Sequence, residues 1–200
     1  MRTTIRLVAG SLSLMTGLAA GAAAAGPLDV PGATKALACS ACHGPGGQSP
    51  SSTIPIIAGL APWYFKKAVE DYAAGRRPSP EMEPYAKYVR EAGVDDVAAY
   101  FAAQSRQPTA VAVDAAAAAR GRVASQQCVV CHGESGRGDP ARSIPDLSGQ
   151  APGYLRNQML LFKADRRSPG DQAVKTVKEL MKSVPDDTIA DLAAYYSSLR

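Results

Sequence analysis

The pentapeptide Cys-x-x-Cys-His occurs twice, as CSACH at residues 39–43 and as CVVCH at 128–132. These two units hold all four cysteines and both histidines of the 200-residue chain. Disulfides among the four thiols would not explain a histidine after each pair. A tetrahedral zinc site would have to unite distant segments and leave both histidines idle. A redox-active CxxC calls for a βαβ setting, and no strand pattern is visible around either copy. The pattern is instead the attachment signature of c-type haem. Two thiols on one helical turn meet the two vinyl groups of a porphyrin, and the adjacent histidine reaches its iron. We expect two haems c, bound through Cys39 and Cys42 and through Cys128 and Cys131, with His43 and His132 as iron ligands.

The chain around these units also repeats. IPIIAGLAPWYFKKAVEDYAAGRR at 54–77 aligns with IPDLSGQAPGYLRNQMLLFKADRR at 144–167. Ile, Pro, Gly, Ala, Pro, Tyr, Ala, Arg and Arg coincide. A duplicated module explains both repeats. The N-terminus reads MRTTIR and then LVAGSLSLMTGLAAGAAAA, a short basic segment before a weakly apolar run that ends in alanines. This predicts a cleaved export signal over 1–25. The remaining boundaries follow as one module over 26–104, a linker over 105–113 carrying a proline and β-branched residues, and a second module over 114–200. A module of this size buries a thin core alone, and a haem at its centre supplies the missing apolar surface.

The periodicity predicts helices throughout. ATKALACSACH and DAAAAARGRVASQQCVVCH read as helices ending at the haem motif, with Asp114 as N-cap of the second. APWYFKKAVEDYAAG and APGYLRNQMLLFKAD carry Pro in their first turns. VDDVAAYFAAQ and PDDTIADLAAYYSSL open on acidic residues that suit a helix N-terminus.

Each histidine must bind iron through Nε2 while Nδ1–H donates elsewhere. Pro55 and Pro145 sit in matching Ile-Pro turns, where either their carbonyls are the acceptors or the prolines simply shape a turn. The opposite axial position of each iron has no histidine left. Beyond the leader the only methionines are Met82, Met159 and Met181. Met82 lies in RRPSPEMEPYAKY, read as a Pro-rich loop, where an apolar side chain has no partner unless it enters a pocket; it is the expected ligand of the first iron. In the second module Gln172 or Ala173 stands where Met82 would map. Met181 is the nearest candidate there, with Lys175 and an open position as alternatives, whereas Met159 reads as a core residue. Tyr64 with Trp63, and Tyr154, either bind haem propionates or pack at helix starts. Arg76-Arg77 and Arg166-Arg167 suit either a propionate or solvent.

CxxCHG, then I-P-x-x-(A/S)-G, A-P-x-Y, G-R-R or D-R-R, a Met, and an Asp-Asp helix ending in A-A-Y together resemble the dihaem class I cytochromes, above all the cytochrome c4 family. The haem subunit of flavocytochrome c sulfide dehydrogenase is similar. The resemblance implies an all-α protein of two tandem cytochrome c-like domains, each wrapped around a covalent haem. It further implies haem propionate edges facing across the interface and a periplasmic electron carrier, loosely associated with the membrane, that serves a terminal oxidase or reductase. The alternatives are the haem subunit of a flavoprotein dehydrogenase oxidising sulfide or another small donor, and a haem enzyme using an open second iron. No acid–base pair or nucleophile stands out, which favours a carrier over an enzyme. A formal net charge of +4, without a basic cluster, argues against nucleic acid.

Overall fold

The computed structural model describes residues 30–200, so the leader expected at 1–25 lies outside the described residues. Nine α-helices occur among them: α1 Ala33–His43, α2 Pro62–Ala73, α3 Met82–Ala92, α4 Val94–Ala102, α5 Ala115–Ala124, α6 Gln126–His132, α7 Pro152–Lys163, α8 Lys175–Ser183 and α9 Asp186–Ser198. The described residues form no strand, only an isolated bridge between Asp139 and Ile144.

Local chemistry accounts for most helix starts. Pro62 and Pro152 open α2 and α7, where a missing N–H costs nothing. The Asp114 carboxylate accepts the Ala117 N–H at 2.7 Å and caps α5. Asp95 and Asp96 occupy the first turn of α4, and Asp186 and Asp187 that of α9.

Two expectations are corrected. The helix read as continuous over 114–132 breaks at Ser125, whose φ of −77° and ψ of −1° separate α5 from α6. Its hydroxyl donates to the Arg122 carbonyl at 2.9 Å, a local bond that competes with the helical ladder. The segment read as a Pro-rich loop around Met82 is instead the start of α3. Ser79 Oγ accepts the Met82 N–H at 3.2 Å, and Pro80 follows it in the next position. Ser before Pro is a helix start rather than a loop signal.

The two modules share one plan. In the first, α1 lies on α4 and α2 packs on α3 and α4. In the second, α5 lies on α9 and α7 packs on α8 and α9. Glycine makes both crossings close. A Cβ on Gly32 would collide with the Asp96 carbonyl, and one on Gly121 with the Asp191 carbonyl. The first core gathers Phe65, Val69, Val89, Val97 and Phe101 with smaller neighbours. The second is leaner, built on Leu155, Leu192, Ala193, Tyr195 and Tyr196.

The modules are joined by polar contacts. Gln150, 4% exposed, accepts the Ile56 N–H at 2.7 Å and donates to the Ile56 carbonyl at 2.8 Å. Tyr154 N–H reaches the Ser52 carbonyl at 2.9 Å, and Ser168 N–H the Arg76 carbonyl at 2.5 Å. The irregular segment expected as a linker is tied to both modules. Gln107 exchanges two hydrogen bonds with Gln48, and Thr109 N–H donates to the Gly149 carbonyl at 2.7 Å.

Two tests follow from this packing. Gly121→Ala should gain about 1 kcal/mol of helix propensity, yet the Asp191 backbone cannot yield without parting α5 from α9. Overpacking costs roughly 1–3 kcal/mol and dominates, so a net loss of stability is expected in denaturant unfolding of the haem-loaded protein. Gln150→Leu leaves a buried N–H and carbonyl of Ile56 unpaired, at roughly 1–3 kcal/mol for each group. It should lower the unfolding midpoint and separate the transitions of the two modules in calorimetry.

Candidate functional site

The two Cys-x-x-Cys-His units close α1 and α6. In each, the first thiol is half-buried against its module's apolar cluster, Cys39 on the first and Cys128 on the second. The second thiol of each pair, Cys42 or Cys131, is exposed. Burial raises the Cys39 and Cys128 thiols above their ordinary range, so both stay protonated. A glycine follows each histidine. Gly44 adopts φ 76° and ψ 169°, and Gly133 φ 71° and ψ 166°, a region open essentially to glycine alone. The helix therefore ends at the histidine, and the chain turns into the loop that carries the Ile-Pro pair.

That loop orients the imidazole. His43 Nδ1 lies 2.8 Å from the Pro55 carbonyl oxygen, and His132 Nδ1 lies 3.0 Å from that of Pro145. A carbonyl only accepts, so each ring places its proton on Nδ1 and leaves the Nε2 lone pair free. Burial lowers the pKa of both rings, which keeps them neutral and able to ligate. Of the two readings the spacing left open, the structure shows the carbonyl acceptor in both modules.

The opposite side of the two centres differs. Met82, half-buried in the first turn of α3, packs on the same cluster as Cys39. In the second module Met159 packs on the cluster that Cys128 joins. Met181 is buried on α8 at 4% exposure but is not a member of that cluster. Lys175 is exposed, as are Gln172 and Ala173. One buried ionisable residue on α8 escaped the sequence reading. Lys178 donates to the Ser168 carbonyl at 2.8 Å and pairs with Asp165 at 3.0 Å. Its only sequence signal is a spacing of three residues from Met181.

Of each arginine pair, one member is buried. Arg77 and Arg167 are enclosed at the contact between modules, whereas Arg166 is exposed and Arg76 pairs with Asp71 at 3.0 Å. The Tyr64 and Tyr154 hydroxyls point into the same contact and bond Arg167 and Arg77 across it. Helical periodicity could not tell the two arginines apart, because the burial comes from the other module.

The donor set suits haem c. Each motif offers two thiols on one helical turn and a neutral imidazole with Nε2 unengaged, all beside an apolar cluster. In the second module the Tyr196 hydroxyl is buried without a partner, and its ring stands 6.3 Å from that of His132. A leaner core and an unpaired hydroxyl beside the motif fit a cavity that a cofactor completes.

Comparison with known proteins agrees. Residues 118–200 match the cytochrome c family profile. The chain is 32% identical to a cytochrome c4 of Pseudomonas aeruginosa, over 94% of this chain and 96% of that protein. It is 31% identical to a thiosulfate dehydrogenase electron acceptor of Stutzerimonas stutzeri, over 82% of this chain and 80% of that one. Reduced recombinant cytochrome c4 from Pseudomonas stutzeri superposes with a TM-score of 0.75 at 27% identity, covering 84% of this chain and 96% of that structure. With its duplicated haem motif, its two all-α modules and these relatives, the chain belongs to the cytochrome c4 family of dihaem c-type cytochromes.

Proposed function

We propose that this protein is a periplasmic electron carrier holding one haem c in each of two modules, over 26–104 and 114–200, joined by the segment 105–113. The observation that carries the reading is the repeated pairing of each motif histidine with a proline carbonyl. It leaves the same free nitrogen beside the same pair of thiols in both halves. Haem c supplies one-electron redox chemistry when bound. The chain's own part is to attach it, orient its axial ligands and keep water from it. Export is supported by the N-terminal sequence. Among the described residues no helix is long and apolar enough to cross a membrane.

His43 and Met82 are the proposed axial ligands of the first iron. His132 is that of the second, with Met181 as the thioether candidate for its opposite face. A thioether favours the ferrous state and raises the potential. The exposed Lys175 has no comparable support, and Lys178 is engaged by Asp165 and the Ser168 carbonyl.

A second reading makes the chain the electron acceptor of a dehydrogenase that oxidises a small sulfur compound. The relative named as a thiosulfate dehydrogenase electron acceptor favours it. Stopped-flow reduction by a purified dehydrogenase of that class, compared with electron delivery to a terminal oxidase, separates the two readings.

Haem content is the first test. The pyridine haemochrome assay on purified protein should give two haems per chain; fewer than two in the wild type defeats the proposal. Axial ligation is the second. Electron paramagnetic resonance of oxidised Met82→Ala should show one of the two haems passing from low to high spin, with loss of its methionine–iron charge-transfer band. Met181→Ala should do the same to the other haem. An unchanged spectrum removes Met181 from the ligand set.

A further inference from the structure

The two modules build one ring slot in the same way and fill it differently. In the first, Phe101 of α4 lies over Gly47, in the turn that follows His43. A Cβ on that glycine would come within 2.9 Å of the Phe101 ring. In the second, Tyr196 of α9 lies over Gly136, in the turn that follows His132. A Cβ there would come within 3.0 Å of the Tyr196 ring. The backbones match as well. Gly59 N–H donates to the Phe101 carbonyl at 2.8 Å, and Gly149 N–H to the Tyr196 carbonyl at 2.8 Å. Both side chains are enclosed, at 0% and 2% exposure. The chemical difference between the two rings is one hydroxyl.

That hydroxyl has no hydrogen-bond partner, a condition that costs free energy in a buried polar group. Phenylalanine fills the equivalent slot of the first module without the cost. Two polar side chains act on the Tyr196 phenol, Cys128 and Tyr195. The Tyr195 hydroxyl is held elsewhere, donating to the Glu134 carbonyl at 3.2 Å. The Cys128 sulfur remains. Cys128 packs on the cluster to which Tyr196 belongs, whereas the second cysteine of the motif, Cys131, is exposed. Burial, and next the Cys128 thiol, raise the phenol above its ordinary range, so it keeps its proton and is able to donate.

A thiol carries a proton of its own and competes for the role of donor. Attachment to a haem vinyl group replaces that proton with carbon. The sulfur is then left with lone pairs only, and it accepts.

We propose that Tyr196 donates a hydrogen bond to the Cys128 sulfur once haem c is attached, and so raises the reduction potential of the second haem alone. The inference rests on the reading that each module carries haem c. The O–H dipole turns its positive end toward the cofactor's edge, where it favours the added electron. Phe101 offers the first haem no such donor from the same slot. Tyr196 is a positioning residue, acting on the haem through the sulfur.

The test uses the haem-loaded protein with Tyr196→Phe. Haem content should stay at two per chain, because both motifs are intact. In redox titration followed by electron paramagnetic resonance, the haem whose signal Met82→Ala leaves unchanged should titrate at a more negative midpoint. The other midpoint should stay where it is. Midpoints that do not move with two haems bound, or that move at both haems, overturn the bond and leave the haem reading intact. A rise in the unfolding midpoint also overturns it, because it marks the hydroxyl as an orphan whose removal relieves the core. Resonance Raman spectra of the wild type identify the acceptor. The carbon–sulfur stretch of one thioether should shift after full exchange into deuterium oxide, and Tyr196→Phe should abolish that shift. Its absence in the wild type assigns the hydroxyl to a trapped water and overturns the sulfur as acceptor. Should the variant fail to assemble, the wild-type exchange spectrum decides alone. Wild-type haem content below two sinks the haem reading itself.

Discussion

The hydrogen bond from each imidazole to a proline carbonyl fixes more of this molecule than its length suggests. It chooses the tautomer, and so decides which nitrogen faces the cofactor. It also fixes where the chain must be about a dozen residues after the histidine. From there the path is short. The glycine after each histidine turns the chain out of the helix, the Ile-Pro loop comes under the ring, and the next glycine hands over to α2 or α7. The tyrosine in the first turn of that helix then reaches the contact between modules. A proline serves well as acceptor because it lacks a competing N–H and its φ is preset. Positions 54–77 and 144–167 match so closely because this stretch links the proximal ligand at one end to the intermodule contact at the other.

Much of this was legible in the residues. The motif set the cofactor and Asp114 announced its helix, whereas the spacing of the Ile-Pro pairs left a carbonyl acceptor and a simple turn equally open. What the sequence concealed has physical causes. Ser125 looks like one more helical residue until its hydroxyl finds the Arg122 carbonyl. Ser79-Pro80 reads as a loop by composition, although serine before proline is good helix-start chemistry. Arg77 and Arg76 are adjacent and chemically identical, and only docking against the other module buries one of them. A property that belongs to a contact cannot be read from either partner alone.

The halves are alike in plan and unlike in strength. The first encloses Phe65, Phe101 and several branched residues, with α3 contributing Ala86 and Val89 to the same cluster. The second leans on α9, and α8 adds no member to its cluster. Its hydrophobic face therefore depends more on whatever covers it beside the motif. Removing apolar area at about 25 cal/mol per Å² makes a porphyrin a large contribution to so small a core. The second module should for that reason be the more dependent on its haem for stability.

The same asymmetry bears on electron flow. A carrier with two unequal sites does not hold its first electron evenly; the site of higher potential holds it. Met82 packs against the first module's cluster, and as the proposed ligand of the first iron it would favour the ferrous state there. In the second module the buried thioether sits on α8, which packs on α7 but contributes no member to the cluster that Cys128 joins. Unless that helix draws in on its haem, the second iron is the weaker acceptor. It would then serve as the transit site, and the first as the resting place of the electron.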